Sequence, residues 1–272
     1  MFVKHIQAAV FDVDGTLFDY RDYRIPQSTV HAVRALKDRG IIVIVATARS
    51  YAELSEDLLT GIDADYYVSA SGHSIQDSQG RVLFSQPFTY DQVERVKALA
   101  EKYDTGLYLK YAHLNCLYRH PLEMEKIYSN IGQPRCPSLN CPAMDYHSRE
   151  LPIGFTVRGE NGIRDKLCME LSRYPGEYRM ELFGNGIVAD IYTPFANKMT
   201  ALDHLMKRLG IPADHCIAFG DGRNDLEMIR WAGIGVAMGN ACEELKAAAD
   251  RVCGPTWEDG ISGMLKELQI IQ

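Results

Sequence analysis

The chain has 272 residues, of which 46% are hydrophobic and 24% charged. Such values fit one large or two modest folded domains and exclude a disordered, collagen-like or coiled-coil chain. The formal charge is −7, from 29 basic and 36 acidic side chains, and no basic block offers the phosphate contacts on which nucleic-acid binding depends. An acidic chain that handles anions must do so with local groups or a metal.

In chain order, the first apolar run is Ala8-Ala9-Val10-Phe11, cut short by Asp12 and Asp14. It is too short for a signal-peptide core or a membrane span. The same pattern, a short apolar run ending abruptly in a different residue type, recurs at Ile41–Ala46 before Thr47. It appears again at Cys216–Gly220 before Asp221 and at Ile234–Met238 before Gly239. Continuous rather than alternating hydrophobicity suits strands buried on both faces of a parallel sheet.

Helices are expected between these strands. Residues 28–39 place Val30, Val33 and Leu36 on one face and stop at Gly40, a residue type suited to the position just past a helix end. Ser50 and Glu53 form a capping-box pattern that predicts a helix through Leu59. Residues 198–209 carry Ala201, Leu202 and Leu205 at helical spacing before Gly210, and residues 224–232 form another helical stretch. Strand–helix alternation of this kind predicts an α/β fold with a doubly wound, mainly parallel, Rossmann-like sheet.

The middle reads differently. A helix is expected over 91–103, strands over 107–111, 115–118 and 154–157, and a helix over 163–174. An Asn-Gly turn at 184–186 predicts a hairpin between 180–183 and 187–191. We therefore expect an α/β core from residues 1–83 and 187–272, interrupted by an inserted α+β domain over 84–186.

The seven cysteines are odd in number and scattered, which points to reduced thiols in a cytoplasmic protein. Cys136, Cys141 and His147 do not make a zinc site by spacing, because Pro137 interrupts the gap and no second Cys pair follows.

In an open α/β sheet, ligands bind beyond the carboxyl ends of the strands, where Asp12, Thr47 and Asp221 are expected. Asp12, Asp14, Asp221 and Asp225 together would crowd charges that cannot all stay ionised without a cation. Hard oxygen ligands shared with water and a phosphate favour Mg²⁺ over zinc or calcium. Lys198 at a helix start is disfavoured by the helix dipole, a conflict that a bound anion would remove. Phosphoryl transfer needs this set: a carboxylate nucleophile (Asp12), an acid/base two residues on (Asp14), and Thr47 and Lys198 on the phosphoryl oxygens.

Asp12-Val13-Asp14-Gly15-Thr16-Leu17 resembles the DxDGT signature of the haloacid dehalogenase-like phosphohydrolases, and Thr47, Lys198 and Gly220–Asp225 resemble the remaining motifs in family order. The segment Gly235–Ala241, with Lys246 and Asp250 beyond, is similar to the Cof-type branch. The resemblance covers both ends of the chain and only weakly its middle. It implies Asp12 as nucleophile and Asp14 as acid/base. Mg²⁺ would be held by the Asp12 and Asp221 carboxylates and the Asp14 carbonyl, with Asp225 in support. Phosphate would meet the N–H groups of Val13 and Ala48 and the side chains of Thr47, Lys198 and Asn224. The insertion would be a cap that closes over the cleft.

Three motifs depart from the branch's usual residues: Ala48 for Gly, Ser71-Gly72-His73 for Asn-Gly-Ala, and Met199 for Gly. None removes a catalytic group. Arg49, Arg158 and Arg179 are candidates for anionic parts of a substrate. The expected partner is a small phosphorylated metabolite, such as a sugar phosphate, with neither nucleic acid nor membrane, and the oligomeric state is left open. A phosphomutase acting on sugar phosphates and a non-catalytic phospholigand sensor are the rival readings.

Overall fold

The computed structural model describes residues 5–55, 57–124, 138–160, 162–183 and 187–272. It divides into two compact units: one of residues through Ala48, Glu56–Leu83 and Asn197–Gln272, the other of Arg49–Ser55 and Phe84–Ala196.

The first unit is built on strands β1 (Ala8–Phe11), β2 (Ile42–Ala46), β3 (Tyr66–Ser69), β4 (Ser74–Asp77), β5 (Val82–Ser85), β12 (Cys216–Gly220), β13 (Ile234–Ala237) and β14 (Arg251–Val252) in one eight-stranded sheet, order β14-β13-β12-β1-β2-β3-β4-β5. From β14 to β3 every neighbour is parallel, while β3 and β4 pair antiparallel. All four residues of β1 are buried, as expected for a central strand covered on both faces. The chain runs outward from β1 in one direction and from β12 in the other, so these two adjacent strands form the switch point at which such sheets bind ligands. Helices α1 (Gln27–Asp38) and α7 (Gly260–Glu267) pack together, as do α4 (Lys198–Leu209), α5 (Leu226–Trp231) and α6 (Glu243–Ala248).

The second unit holds a six-stranded sheet, order β10-β11-β9-β6-β7-β8, from β6 (Gly106–Lys110), β7 (Asn115–Arg119), β8 (Ser138–Asn140), β9 (Gly154–Arg158), β10 (Arg179–Phe183) and β11 (Val188–Tyr192). Its pairs are antiparallel except β7 with β8. Strand alternation sends Leu107, Leu109, Phe155, Val157, Ala189 and Ile191 into one core with residues of α2 (Tyr90–Lys102) and α3 (Ile163–Leu171). The intervening residues form a buried polar network. Lys110 Nζ donates to Asp190 Oδ2 at 2.7 Å and to Tyr192 Oη at 3.0 Å, and Thr156 Oγ1 donates to Asp190 Oδ1 at 2.5 Å.

Two expectations are corrected here. The helix predicted from Ser50 through Leu59 is only a 3₁₀ turn over Tyr51–Glu53. Its capping box exists, since Ser50 N–H donates to Glu53 Oε2, but a cap fixes only where a helix can begin, and here it starts a single turn. The boundary expected at 186/187 lies instead at 196/197, because β11 is held by backbone pairing to β9 and β10 (Val188 opposite Arg158, Ile191 opposite Met180). The Asn-Gly turn at 184–186 lies outside the described residues, although the strands on either side of it pair as a hairpin.

Candidate active site

Asp12 follows β1 directly, and its N–H donates to the Phe219 carbonyl of neighbouring β12 at 3.0 Å. Phe11 and Phe219 stand opposite in register and stack with ring centroids 5.2 Å apart, which holds the ends of the two strands level. Asp221 begins the loop after β12, and Asp225 folds back over that loop, its Oδ2 accepting from the N–H of Asp221 and of Gly222, both at 3.0 Å. One carboxylate oxygen from each of Asp12, Asp221 and Asp225 lies within 4.8 Å of the others.

Lys198 opens helix α4, whose N-cap Asn197 accepts from Thr200 N–H at 2.8 Å while Thr200 Oγ1 accepts from Asn197 N–H at 2.9 Å. This reciprocal cap fixes where Lys198 emerges. Its Nζ, 1% exposed, donates to Asp12 Oδ1 at 2.5 Å and to Asp225 Oδ1 at 2.6 Å. Two buried carboxylates thus offset the unfavourable place of a cation at a helix N-terminus.

The balance of charge is acidic. Burial raises the Asp12 carboxyl well above its ordinary range; Lys198 opposes this, and Asp225, Asp221 and Asp14 add to it. Burial also pushes Asp221 up to about 7, helped by Asp225 and Asp14 and opposed by Lys198 and the Thr16 hydroxyl. For Lys198 burial disfavours the charge, but Asp12 and Asp225 outweigh it and hold its pKa above the ordinary value. One lysine among clustered carboxylates leaves negative charge uncompensated. A hard divalent cation fits such a donor set by charge and ligand type.

The turn after Asp12 passes close to the Asp221 carboxylate. Gly15 has φ +85°, a left-handed conformation that favours glycine, and a Cβ there would lie 2.4 Å from Asp221 Oδ2. Its carbonyl accepts from Asn240 Nδ2 and Thr256 Oγ1, both at 2.8 Å. Thr16 Oγ1 donates to Asp221 Oδ1 at 3.1 Å. Asp14, partly exposed, accepts at Oδ1 from the Tyr20 hydroxyl.

Residues 9–265 match the haloacid dehalogenase-like hydrolase family. The chain belongs to the haloacid dehalogenase-like hydrolases. Within them it is of Cof type. This hydrolase is 27% identical over 275 residues to the 5-amino-6-(5-phospho-D-ribitylamino)uracil phosphatase YitU of Bacillus subtilis, covering 94% of this chain and 95% of that protein. It is 28% identical over 250 residues to the HMP-PP phosphatase of Klebsiella pneumoniae, covering 88% of this chain and 86% of that protein. Among solved structures, a HAD subclass IIB sugar phosphatase is similar, with TM-score 0.81 and 27% identity over 97% of this chain and 100% of that one.

In this hydrolase the sequence-predicted residues of the first unit fall as follows. Asp12, Lys198, Asp221 and Asp225 converge. Thr47 is fully buried at the end of β2, its N–H donating to Val68 O at 2.8 Å and its carbonyl accepting from Ser71 N–H at 2.9 Å. Ala48 follows it as the last residue of this stretch of the unit. Val13 is buried, with its carbonyl accepting from Phe18 N–H at 2.8 Å. Asn224 is exposed within the 3₁₀ turn Arg223–Asp225, whose N-cap is Gly222.

Arg49 is buried in the second unit. Arg158 pairs with Glu123 at 3.0 Å and Glu160 at 2.7 Å, and Arg179 with Glu181 at 2.9 Å. His147 Nε2 lies 2.6 Å from Glu94 Oε1 and Nδ1 3.0 Å from Tyr118 Oη, so the histidine is engaged in packing. Cys136 lies outside the described residues. Sequence reasoning missed Thr16, Tyr20, Asn240 and Thr256 as supports of the site. The first stands inside the quoted DxDGT run and the third inside the quoted Gly235–Ala241 segment; Tyr20 and Thr256 carried no signal of their own.

Proposed function

We propose that the chain is a Mg²⁺-dependent phosphoric monoester hydrolase that acts on a small phosphorylated metabolite through an aspartyl-phosphate on Asp12. The observation that carries this reading is the convergence of Asp12, Asp221 and Asp225 around the buried Lys198 at the switch point of the sheet. The relatives named as phosphatases of a phosphoribitylamino-uracil and of HMP-PP, and the similar sugar phosphatase, support the substrate class.

The Asp12 carboxylate attacks phosphorus while Asp14 passes a proton to the departing ester oxygen, which leaves as an alcohol. Asp14 then takes a proton from water as the water oxygen attacks the phosphoaspartate, releasing inorganic phosphate and restoring Asp12. Lys198 carries three donor hydrogens, two of which serve Asp12 and Asp225; with the Thr47 hydroxyl, the N–H groups of Val13 and Ala48, and Asn224, it would hold the phosphoryl oxygens. The carboxylates of Asp12 and Asp221 and the carbonyl of Asp14 would hold Mg²⁺, with Asp225 in support, and the ion supplies positive charge that offsets phosphate–carboxylate repulsion.

The second unit acts as the cap of this reading and selects the substrate. The six cysteines among the described residues are free thiols, which supports a cytoplasmic setting. No helix among the described residues is long and apolar enough to cross a membrane.

The test is a phosphate-release screen over sugar phosphates and other phosphorylated metabolites, with and without Mg²⁺. Mg²⁺-dependent release of inorganic phosphate is expected. Sugar-phosphate isomerisation without release would instead indicate a mutase, and Mg²⁺-dependent binding without turnover across the panel a sensor.

A further inference from the structure

The loop after Asp14 is held in place more firmly than a connection needs. Gly15 N–H donates to the Phe18 carbonyl at 3.1 Å, and Phe18 N–H to the Val13 carbonyl at 2.8 Å. Asp19 and Arg24 exchange backbone hydrogen bonds at 2.9 and 3.3 Å across an antiparallel bridge. The buried Asp19 carboxylate accepts from Arg21 N–H at 2.9 Å, and the Arg21 guanidinium lies 4.1 Å above the Trp257 ring. Trp257 is adjacent to Thr256, which grips the Gly15 carbonyl, so the loop is fastened at both ends to one element.

Tyr20 projects from the middle of this frame. Its ring meets Phe18 edge-to-face at 5.4 Å, and its hydroxyl donates to Asp14 Oδ1. A carboxyl group that exchanges protons with a leaving oxygen must be aimed at it, because proton transfer requires hydrogen-bond geometry. Asp14 itself is partly exposed, and a short side chain at a surface turn otherwise has several rotamers open to it.

We propose that Tyr20 is a positioning residue for the acid/base step: through its hydroxyl it holds the Asp14 carboxyl in the orientation that delivers a proton to the leaving oxygen. This rests on the reading of Asp14 as general acid. Tyr20 keeps its own proton throughout. When the P–O bond of the ester breaks, the proton moves from Asp14 to the departing oxygen, and the electron pair of the broken bond stays on that oxygen.

The signature of such a role is leaving-group dependence. An alkyl ester such as a sugar phosphate needs its departing oxygen protonated, whereas p-nitrophenyl phosphate releases a stable anion and does not. The quantity to measure is the ratio of kcat/KM for p-nitrophenyl phosphate to kcat/KM for the sugar phosphate, since kcat/KM reports the steps through transfer to Asp12. A general loss of folded protein lowers both values equally and leaves the ratio unmoved.

General acid catalysis is worth about 10²–10⁴-fold. The ratio is therefore expected to rise by roughly that factor in Asp14→Asn, and by about tenfold in Tyr20→Phe as the part due to aim. A raised ratio in Asp14→Asn with an unchanged ratio in Tyr20→Phe would overturn the role of Tyr20 alone. An unchanged ratio in Asp14→Asn would overturn the acid assignment, and the role of Tyr20 with it.

Discussion

Lys198 and Asp12 form a buried ion pair 2.5 Å long although 186 residues separate them in sequence. The pair joins the end of the central strand β1 to the start of helix α4, and Asp225 closes it into a triad at 2.6 Å. Breaking one member of such a group leaves the others desolvated and uncompensated.

Lys198→Ala is accordingly expected to destabilise the metal-free protein by roughly 3–5 kcal/mol, the scale for an orphaned buried charge. Adding Asp12→Asn to it should recover part of that loss, because one of the stranded carboxylates becomes neutral. Denaturant unfolding of the single and double variants measures both. A double variant no more stable than Lys198→Ala would show that the two groups are not energetically coupled.

Asp12→Asn alone should abolish phosphate release, by about 10⁴-fold or more on the scale of nucleophile replacements, while the protein stays folded. The amide keeps the shape and removes a charge that burial already disfavours. Phosphate release and a thermal melt on the same sample test it together. An active, folded Asp12→Asn would refute the nucleophile assignment.

The response to Mg²⁺ should depend on pH in a fixed direction. Asp221 has an ordinary value of 3.8 and is pushed up to about 7 in the folded protein. A raised carboxyl pKa contributes stability that is complete below the unfolded value and lost as pH rises through the folded one. The metal-free protein should therefore lose stability between about pH 4 and 7 on account of this group. Mg²⁺ requires the ionised ligand, so its addition should raise Tm more at pH 8 than at pH 5. Melts at the two pH values, with Mg²⁺ and with chelator, decide it; equal shifts would mean that Asp221 does not take the ion.

Gly72 has φ +94°, and a Cβ there would stand 2.1 Å from the Asn197 carbonyl oxygen. Gly72→Ala combines a backbone conformation costly for an L-residue with a clash against the cap of α4, and should cost at least about 2 kcal/mol. Because the displaced backbone carries Lys198, phosphate release should fall along with stability. Activity and unfolding of Gly72→Ala check this; wild-type values in both would show that the α4 start has room to yield.

The strands that carry the site were legible because each is a continuous apolar run stopped by a polar residue, a pattern confined to neighbouring positions. Helix α4 was legible to the residue, over Lys198–Leu209, because its apolar spacing and terminal Gly210 are local signals as well. The Ser50 capping box predicts a helix through Leu59 yet starts only the turn Tyr51–Glu53, since a cap states where a helix can begin and not how far it continues. The place of β11 could not be read from periodicity alone. Its alternation suits either sheet, and only pairing with β9 and β10 assigns it.

By itself, the sequence determined the kinds of element, their order and the chemical identity of the clustered groups: carboxylates and a lysine at strand and helix ends. The tertiary structure alone decided which of these groups touch. Thr16 reaches Asp221 across 205 positions, and Thr256 reaches the Gly15 carbonyl across 241. Such contacts depend on the strand order β13-β12-β1-β2, which brings distant segments side by side, whereas propensity and periodicity act over the few residues of one turn or one strand.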